Sequence, residues 1–350
     1  MLITSHSDDE QLFFAGVLPY YAIEKGVQVQ VVYVVNHFDT HERPHEQLDG
    51  LWAVGVKNYP IIPEFPDVYA ESTDREVAKA DALAAFGSLG YTFDDFVEYF
   101  TECLRRFKPL IVVSHDLNGE YGHGTHVVCA DALIEAIKCS PDSGKCLESS
   151  GTYGTWVVEK AYLHLYEENQ ITLDIDKPLD SLGGKTAFQV SQEGFKHHKS
   201  QLWTWFKAWM LGTDDEPITK ASQIEDYTPG KYGLYFTKVG NDTGKGDFFE
   251  NVKTHAQREA DAETETEATL APLVTLPSDF IEVPTQTEET TESTVQGSDD
   301  TDNTLNKPII IAVIFICALA CVVLAIFTVK STKTNVRMRK RKLQSRKNKR

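Results

Sequence analysis

Two polar clusters in this chain have the composition of a reactive site. The first is Ser5-His6-Ser7-Asp8-Asp9-Glu10, the second His115-Asp116-Leu117-Asn118-Gly119-Glu120-Tyr121-Gly122-His123-Gly124-Thr125-His126, and each directly follows an apolar run. His6 and Asp9 are three residues apart, as are His123 and His126. At a strand-to-helix turn, or on the first turn of a helix, that spacing aims both members of a pair at one ion. Two imidazoles and one carboxylate with an open fourth position make the donor set of a catalytic zinc, because a structural zinc takes four protein ligands, commonly Cys. The same set also suits iron. Each cluster alone has an ordinary reading: Ser7 as a helix cap with Asp8, Asp9 and Glu10 favouring the dipole, and unrelated histidines in the second. Together, with Gly119, Gly122 and Gly124 allowing close backbone approach to a ligand, they favour a metal site.

The elements that must position these clusters alternate. Residues 2–5 read as a short strand, 9–26 as a helix closed by Gly26, and 27–35 as a β-branched strand covered on both faces. Residues 45–55 read as a helix closed by Gly55, with a strand entry before 60–62. Residues 93–107 form an amphipathic helix with Asp94 and Asp95 at its start and Arg105 and Arg106 at its end, as the dipole prefers. A buried strand over 109–114 and a helix over 126–138 follow. This alternation predicts an α/β fold, a Rossmann-like, mostly parallel sheet with helices on both faces. Ligands of such sheets bind outside the carboxyl ends of the strands, so the two clusters should face each other. Residues 149–250, with weaker periodicity, read as closing strands and loops of the same domain, 1–250.

Charge is segregated along the chain. The 34 Lys and Arg against 52 Asp and Glu give a net −18, yet residues 330–350 hold eleven basic residues and no acid. The large acidic part would repel phosphate, which argues against a nucleic-acid partner. Residues 251–307, rich in Thr, Glu, Asp and Pro without apolar periodicity, read as a disordered acidic linker. Residues 308–329 are long and apolar enough for a transmembrane helix. The basic residues 330–350 then mark a cytoplasmic tail in contact with membrane lipid, and place the head outside the cytoplasm, in a single-pass cell-membrane protein. Only Leu2, Ile3 and Thr4 separate Met1 from polar sequence, so either an export signal lies upstream of Met1, the favoured reading, or the head faces the cytoplasm. Of six cysteines, Cys317 and Cys321 fall in the apolar span, Cys103 and Cys129 read as buried thiols, and Cys139 and Cys146 flank a turn that a disulfide would close.

The motifs carry a family resemblance. Ser-His-Ser-Asp-Asp-Glu over 5–10 resembles the Ala-His-Pro-Asp-Asp-Glu signature of the PIG-L/LmbE-like zinc-dependent N-acetylglucosaminyl de-N-acetylases, and Gly119–His126 resembles that family's Gly-Glu-Tyr-Gly-His-Pro-Asp-His segment. The stretch 41–56 is similar to the family's Arg-x-x-Glu helix, and 197–201 to its late His-x-Ser-Gln segment; the resemblance covers most of 1–205. It implies zinc held by His6, Asp9 and His126, Asp8 as general base, Tyr121 steadying the oxyanion and His123 as acid or electrostatic stabiliser. It also implies an amino-sugar or glycan substrate whose N-acyl amide is hydrolysed. Thr125, where the family often has Asp, bears on what surrounds the ligands.

Other residues are weaker candidates. Arg43 is read either as a substrate contact or as an ion pair with Glu46 one turn on, and His198 and Gln201 as reaching the site from its far side. His37, Asp39, His41 and His45 read as rim residues or a second metal patch, and Trp203, Trp205 and Trp209 as packing or a sugar-stacking surface. The competing functions are a glycan-binding surface protein that has lost turnover, and an amidase of another small sugar conjugate.

Overall fold

The computed structural model describes residues 1–244, 246–254 and 256–261. The apolar span 308–329, the basic tail 330–350 and the linker past residue 261 lie outside the described residues. Among the described residues, no helix is long and apolar enough to cross a membrane.

Strands β1 (Leu2–Thr4), β2 (Val31–Tyr33), β3 (Ile111–Ser114), β4 (Lys160–His164), β5 (Gln170–Thr172) and β6 (Lys231–Thr237) form one sheet in the order β2-β1-β3-β4-β6-β5. The first four run parallel, whereas β6 is antiparallel to both β4 and β5. Because β5 is antiparallel to β6, it runs with β1 to β4, so the sheet is mostly parallel and is made mixed by β6 alone. The chain leaves β4 at His164 and returns at the same end, where Tyr232 of β6 pairs with His164, so β6 must run back antiparallel.

Helices α1 (Val17–Pro19), α2 (Arg43–Ala53), α3 (Arg75–Gly87), α4 (Phe93–Phe107), α5 (Gly124–Cys139), α6 (Leu147–Tyr153), α7 (Ala187–Phe195) and α8 (Trp205–Leu211) flank the sheet. Side chains alternate across each strand. Leu2, Tyr33, Val113 and Tyr162 join a core layer with Leu51 of α2 and Phe188 of α7. Ile3, Val32, Val112 and Leu163 join the opposite layer with Phe86 of α3, Phe100 of α4 and Leu133 of α5. Helices on both faces explain why β1 to β4 are buried at every position.

Local chemistry sets the boundaries. Helix α4 keeps the predicted bounds, with a capping box from Thr92 and Asp95. The single helix expected over 9–26 is broken: turns occupy 7–16, Gly16 turns the chain at φ 84°, and α1 leads into a π-helical turn, Tyr20–Glu24. A Cβ on Gly16 would lie 2.7 Å from Ile175 Cβ, so only glycine lets this turn pack. Helix α3, which the periodicity reading missed, starts at Asp74, whose carboxylate accepts the amide hydrogens of Glu76 and Val77.

Cys139 and Cys146 are free thiols, contrary to the disulfide considered from their spacing. Their loop is held by Arg105, expected at the α4 terminus as a dipole partner but found fully buried. Its guanidinium donates to the carbonyls of Cys139, Ser140, Asp142, Lys145 and Cys146 and to Ser149 Oγ, at 2.6–3.2 Å. One buried side chain thus ties together the carbonyls at the end of α5 and in the loop that follows it.

Candidate metal centre and active site

In a sheet ordered β2-β1-β3-β4 the strand order reverses between β1 and β3, and the crevice opens at their carboxyl ends. Thr4 ends β1 and Ser114 ends β3, so the chain enters both polar clusters side by side. The amide hydrogen of Ser5 donates to His115 Nε2 at 3.0 Å across that junction.

Three side chains converge there. His6 Nδ1 lies 3.1 Å from His126 Nε2 and 3.2 Å from Asp9 Oδ2, and His126 Nε2 lies 3.3 Å from Asp9 Oδ2. Ligands bonded at 2.0–2.1 Å in a tetrahedron sit about 3.3 Å apart, so this triangle has the edge length of three ligands of one tetrahedral ion. The donor set fits zinc chemically as well: two neutral-capable imidazoles, one carboxylate, and one side left open. His123 joins His6 and His126 in a second grouping of donor atoms within 4.8 Å. Its Nδ1 accepts the Thr125 amide hydrogen at 3.3 Å, which leaves the ring proton on Nε2.

The electrostatics favour a cation. Burial works against a charge on His6, yet Asp67 and Asp9 raise it to about 10. Burial likewise works against ionising Asp9, but His126 and His6 hold its carboxyl well below the ordinary range. Desolvation, followed by His6 and His126, pushes His123 down to about 2 and keeps it neutral. Burial, with the carboxylates of Asp9 and Asp8, raises the Tyr121 phenol well above its usual value, so it stays a hydrogen-bond donor.

Asp8 sits outside the triangle. Arg43, the first residue of α2, donates from Nη2 to Asp8 Oδ1 and to the Ser7 carbonyl, both at 3.2 Å. Arg43 thus pairs with Asp8 through Nη2 and not with Glu46. Glu46 instead accepts the Ser200 amide and hydroxyl at 2.9 and 2.5 Å. Ser7 caps nothing, since its hydroxyl is buried without a hydrogen bond.

The loop bearing Tyr121 is strained and pinned. Tyr121 has φ 47°, a left-handed conformation that is rare for an aromatic residue. Gly122, at φ 79°, would place a Cβ 2.2 Å from the Ser72 carbonyl oxygen. Gly122 allows close approach to the segment around Ser72, Gly124 to Ala78 and Gly119 to His123, so all three meet the chain's own atoms rather than the ligand their spacing suggested. Tyr121 packs 5.4 Å from His126 and 5.8 Å from the half-exposed Trp205.

Several candidates fall elsewhere. His198 is fully buried 3.2 Å from Glu10 Oε1, and Gln201, half-buried, donates to Ser200 Oγ. His37 is buried, with its Nδ1 3.8 Å from Asp67 Oδ2, while Asp39, His41 and His45 are exposed. Among the described residues these four form no metal-ligand group. Trp209 packs against Phe13 and donates to the Asp226 carbonyl, whereas Trp203 is 82% exposed.

Asp67 and His164 escaped the sequence reading, and His115 and Glu120, though part of the second cluster, were given no role in it. Asp67 Oδ1 lies 3.3 Å from His6 Nε2, an ion-pair distance off the line of a hydrogen bond. Glu120, fully buried, accepts from Nδ1 of His115 (2.6 Å), His126 (2.8 Å) and His164 (2.6 Å). His115 and His164 end β3 and β4 on the site side, and a histidine closing a buried strand at that end was the available signal.

Comparison with known proteins agrees with the motifs. The family model described as PIG-L, GlcNAc-PI de-N-acetylase, matches residues 1–137, which form a PIG-L family domain. The chain is 19% identical over 208 residues to a probable N-acetylglucosaminyl-phosphatidylinositol de-N-acetylase of Schizosaccharomyces pombe, covering 59% of this chain and 79% of that one. It is 22% identical over 247 residues to the 1D-myo-inositol 2-acetamido-2-deoxy-alpha-D-glucopyranoside deacetylase 1 of Saccharopolyspora erythraea, covering 61% and 80%. Among solved structures it is similar to the N,N'-diacetylchitobiose deacetylase of Pyrococcus horikoshii, at 16% identity and a TM-score of 0.45, covering 67% of this chain and 82% of that one.

Proposed function

We propose that this PIG-L domain is a zinc-dependent amidohydrolase that removes the acyl group, acetyl in the first instance, from the nitrogen of an N-acetylglucosamine-type sugar or conjugate. The observation that carries this reading is the triangle of His6 Nδ1, Asp9 Oδ2 and His126 Nε2 beside a carboxylate, Asp8, that is held by Arg43. The named activities of the family and of its relatives support the same chemistry and substrate class.

His6, Asp9 and His126 would hold a zinc ion, which when bound would polarise an amide carbonyl and lower the pKa of water to about 7. The chain's own residues supply the rest. Asp8, fixed by Arg43, takes the proton from the attacking water as its oxygen bonds to the carbonyl carbon. The Tyr121 hydroxyl and the His123 Nε2–H donate to the oxygen on which negative charge develops. The C–N bond then breaks as the nitrogen receives the proton held by Asp8, releasing a carboxylate and a free amine. Trp205, half exposed beside Tyr121, forms part of the rim a sugar would pass.

The test is metal analysis of the full-length protein together with amine release from a panel of N-acetylglucosamine derivatives. Zinc and amine release support the reading. Zinc without amine from any member favours the glycan-binding alternative.

The apolar span 308–329 and the basic residues after it support a membrane-anchored head facing away from the cytoplasm. Protease added to intact cells tests this orientation: the head is expected to be cleaved, and a protected head overturns it.

A further inference from the structure

A fully buried carboxylate that accepts from three imidazoles is not needed to hold a sheet together, and the hydrogen-bond roles around Glu120 are determined by its neighbours. His115 Nε2 receives the Ser5 amide hydrogen at 3.0 Å, so its single ring proton sits on Nδ1 and points at Glu120 Oε2, 2.6 Å away. His126 approaches the same Oε2 with Nδ1 at 2.8 Å and turns Nε2 toward His6 and Asp9. His164 places Nδ1 2.6 Å from Glu120 Oε1 and Nε2 3.0 Å from the carbonyl oxygen of Thr228. Each ring nitrogen of His164 thus faces an acceptor oxygen. The Asp116 amide hydrogen, 3.2 Å from Oε1, completes the set. Every acceptor direction of Glu120 is therefore used in a volume with no solvent.

We propose that Glu120 is the positioning residue of the metal centre: it accepts a hydrogen bond from His126 Nδ1–H, so that the ring presents Nε2 to the ion, and His164 holds its other oxygen. This assignment rests on the reading that His6, Asp9 and His126 hold a metal. A free imidazole can carry its proton on either nitrogen, and a proton on Nε2 would block the ligand atom. The Glu120–His126 hydrogen bond removes that choice before metal arrives and raises the basicity of Nε2. His115, held by Ser5 on one side and Glu120 on the other, fills the space beside His126, with ring centroids 4.1 Å apart, so His126 cannot turn away. His164 lies outside both sequence motifs, yet it sits at the end of β4 one strand over from β3, where only the fold could bring it to Glu120.

The test compares wild type, Glu120→Gln and His164→Gln as full-length proteins. Zinc affinity is read by competition with a chromophoric chelator, and geometry by the visible absorption of the cobalt-substituted protein. Glu120→Gln should weaken zinc by about 10- to 100-fold and shift the cobalt bands. His164→Gln keeps a donor toward Oε1 but not the rigid ring that also reaches the Thr228 carbonyl, and should weaken zinc less while moving the bands the same way. A purely structural Glu120 would lower the melting temperature and leave chelator competition and cobalt bands unchanged, which overturns the proposal. Should Glu120→Gln fail to fold, nitrogen-15 NMR of the metal-free wild type decides: His126 protonated on Nδ1 supports the proposal and on Nε2 overturns it. A wild-type chain that binds no zinc overturns the metal-site reading and this inference with it. Zinc held equally well by the folded variants overturns this inference alone.

Discussion

Arg43 Nη2 lies 3.2 Å from Asp8 Oδ1, joining the first turn of α2 to the turn after β1 across 35 residues of sequence. Asp8 is nearly buried and Arg43 half-buried, so the pair is shielded from the screening that weakens surface ion pairs. The bond orients the carboxylate proposed as the base.

Loss of Arg43 should therefore act on the rate of the chemical step. Arg43→Ala is expected to lower kcat by about 100-fold, the cost of a base displaced by about an ångström, with a smaller change in KM. Arg43→Lys, which keeps the charge but not the planar fork, should recover part of the loss. Steady-state kinetics on an N-acetylglucosamine substrate checks this, and an effect confined to KM would return Arg43 to substrate binding.

Asp8 and His6 should separate catalysis from metal binding. Asp8→Ala is expected to keep zinc and lose about 10²- to 10⁴-fold in rate, as removal of a general base does. His6→Ala should lose both. Metal content of each purified variant, measured beside activity, checks the split; full activity in Asp8→Ala would displace Asp8 as base.

Arg105 should dominate the stability of the loop after α5. Arg105→Met removes donors to five carbonyls and one hydroxyl, and buried acceptors left unsatisfied cost about 1–3 kcal/mol each in the worst case. A loss of at least about 3 kcal/mol is expected in urea unfolding. Arg106→Ala, an exposed neighbour on the same helix turn, should stay within about 0.5 kcal/mol.

Thiol reactivity should follow burial. Desolvation pushes the Cys103 and Cys129 thiols up to about 12, so neither forms thiolate in the folded protein at pH 8. The unfolded chain ionises near the ordinary thiol value of about 8.5, so stability contributed by these groups falls as pH rises above that value toward 12. Alkylation with iodoacetamide at pH 8, followed by mass mapping, should label the half-buried Cys139 and Cys146 first. Cys103 and Cys129 should be labelled only after denaturant is added.

The backbone at Gly122 should tolerate no side chain. Gly122→Ala places a methyl 2.2 Å from the Ser72 carbonyl oxygen in a left-handed conformation, and the loop must shift to accept it. A loss of activity with zinc still bound is expected, because Tyr121 and His123 flank this residue while His126 sits on α5.

By itself, the sequence determined the parts of this protein that depend on short-range geometry. Helix α4 was legible because its apolar stripe and end charges lie within fifteen residues. The pairs His6–Asp9 and His123–His126 were legible because three-residue spacing at the mouth of a helix brings two side chains together whatever the rest of the chain does. Even the facing of the two clusters followed from strand and helix alternation, a rule that needs no coordinates. Only the tertiary structure decided which atoms of those residues meet, that Arg43 serves Asp8 rather than Glu46, and that Arg105 closes a loop left to two cysteines. It also decided that Glu120 gathers His115, His126 and His164. These contacts join residues as far as 120 positions apart, across strands whose adjacency in the order β1-β3-β4 no local pattern encodes. A buried charge must find its partner in three dimensions, because leaving it unpaired costs more than any local preference can offset.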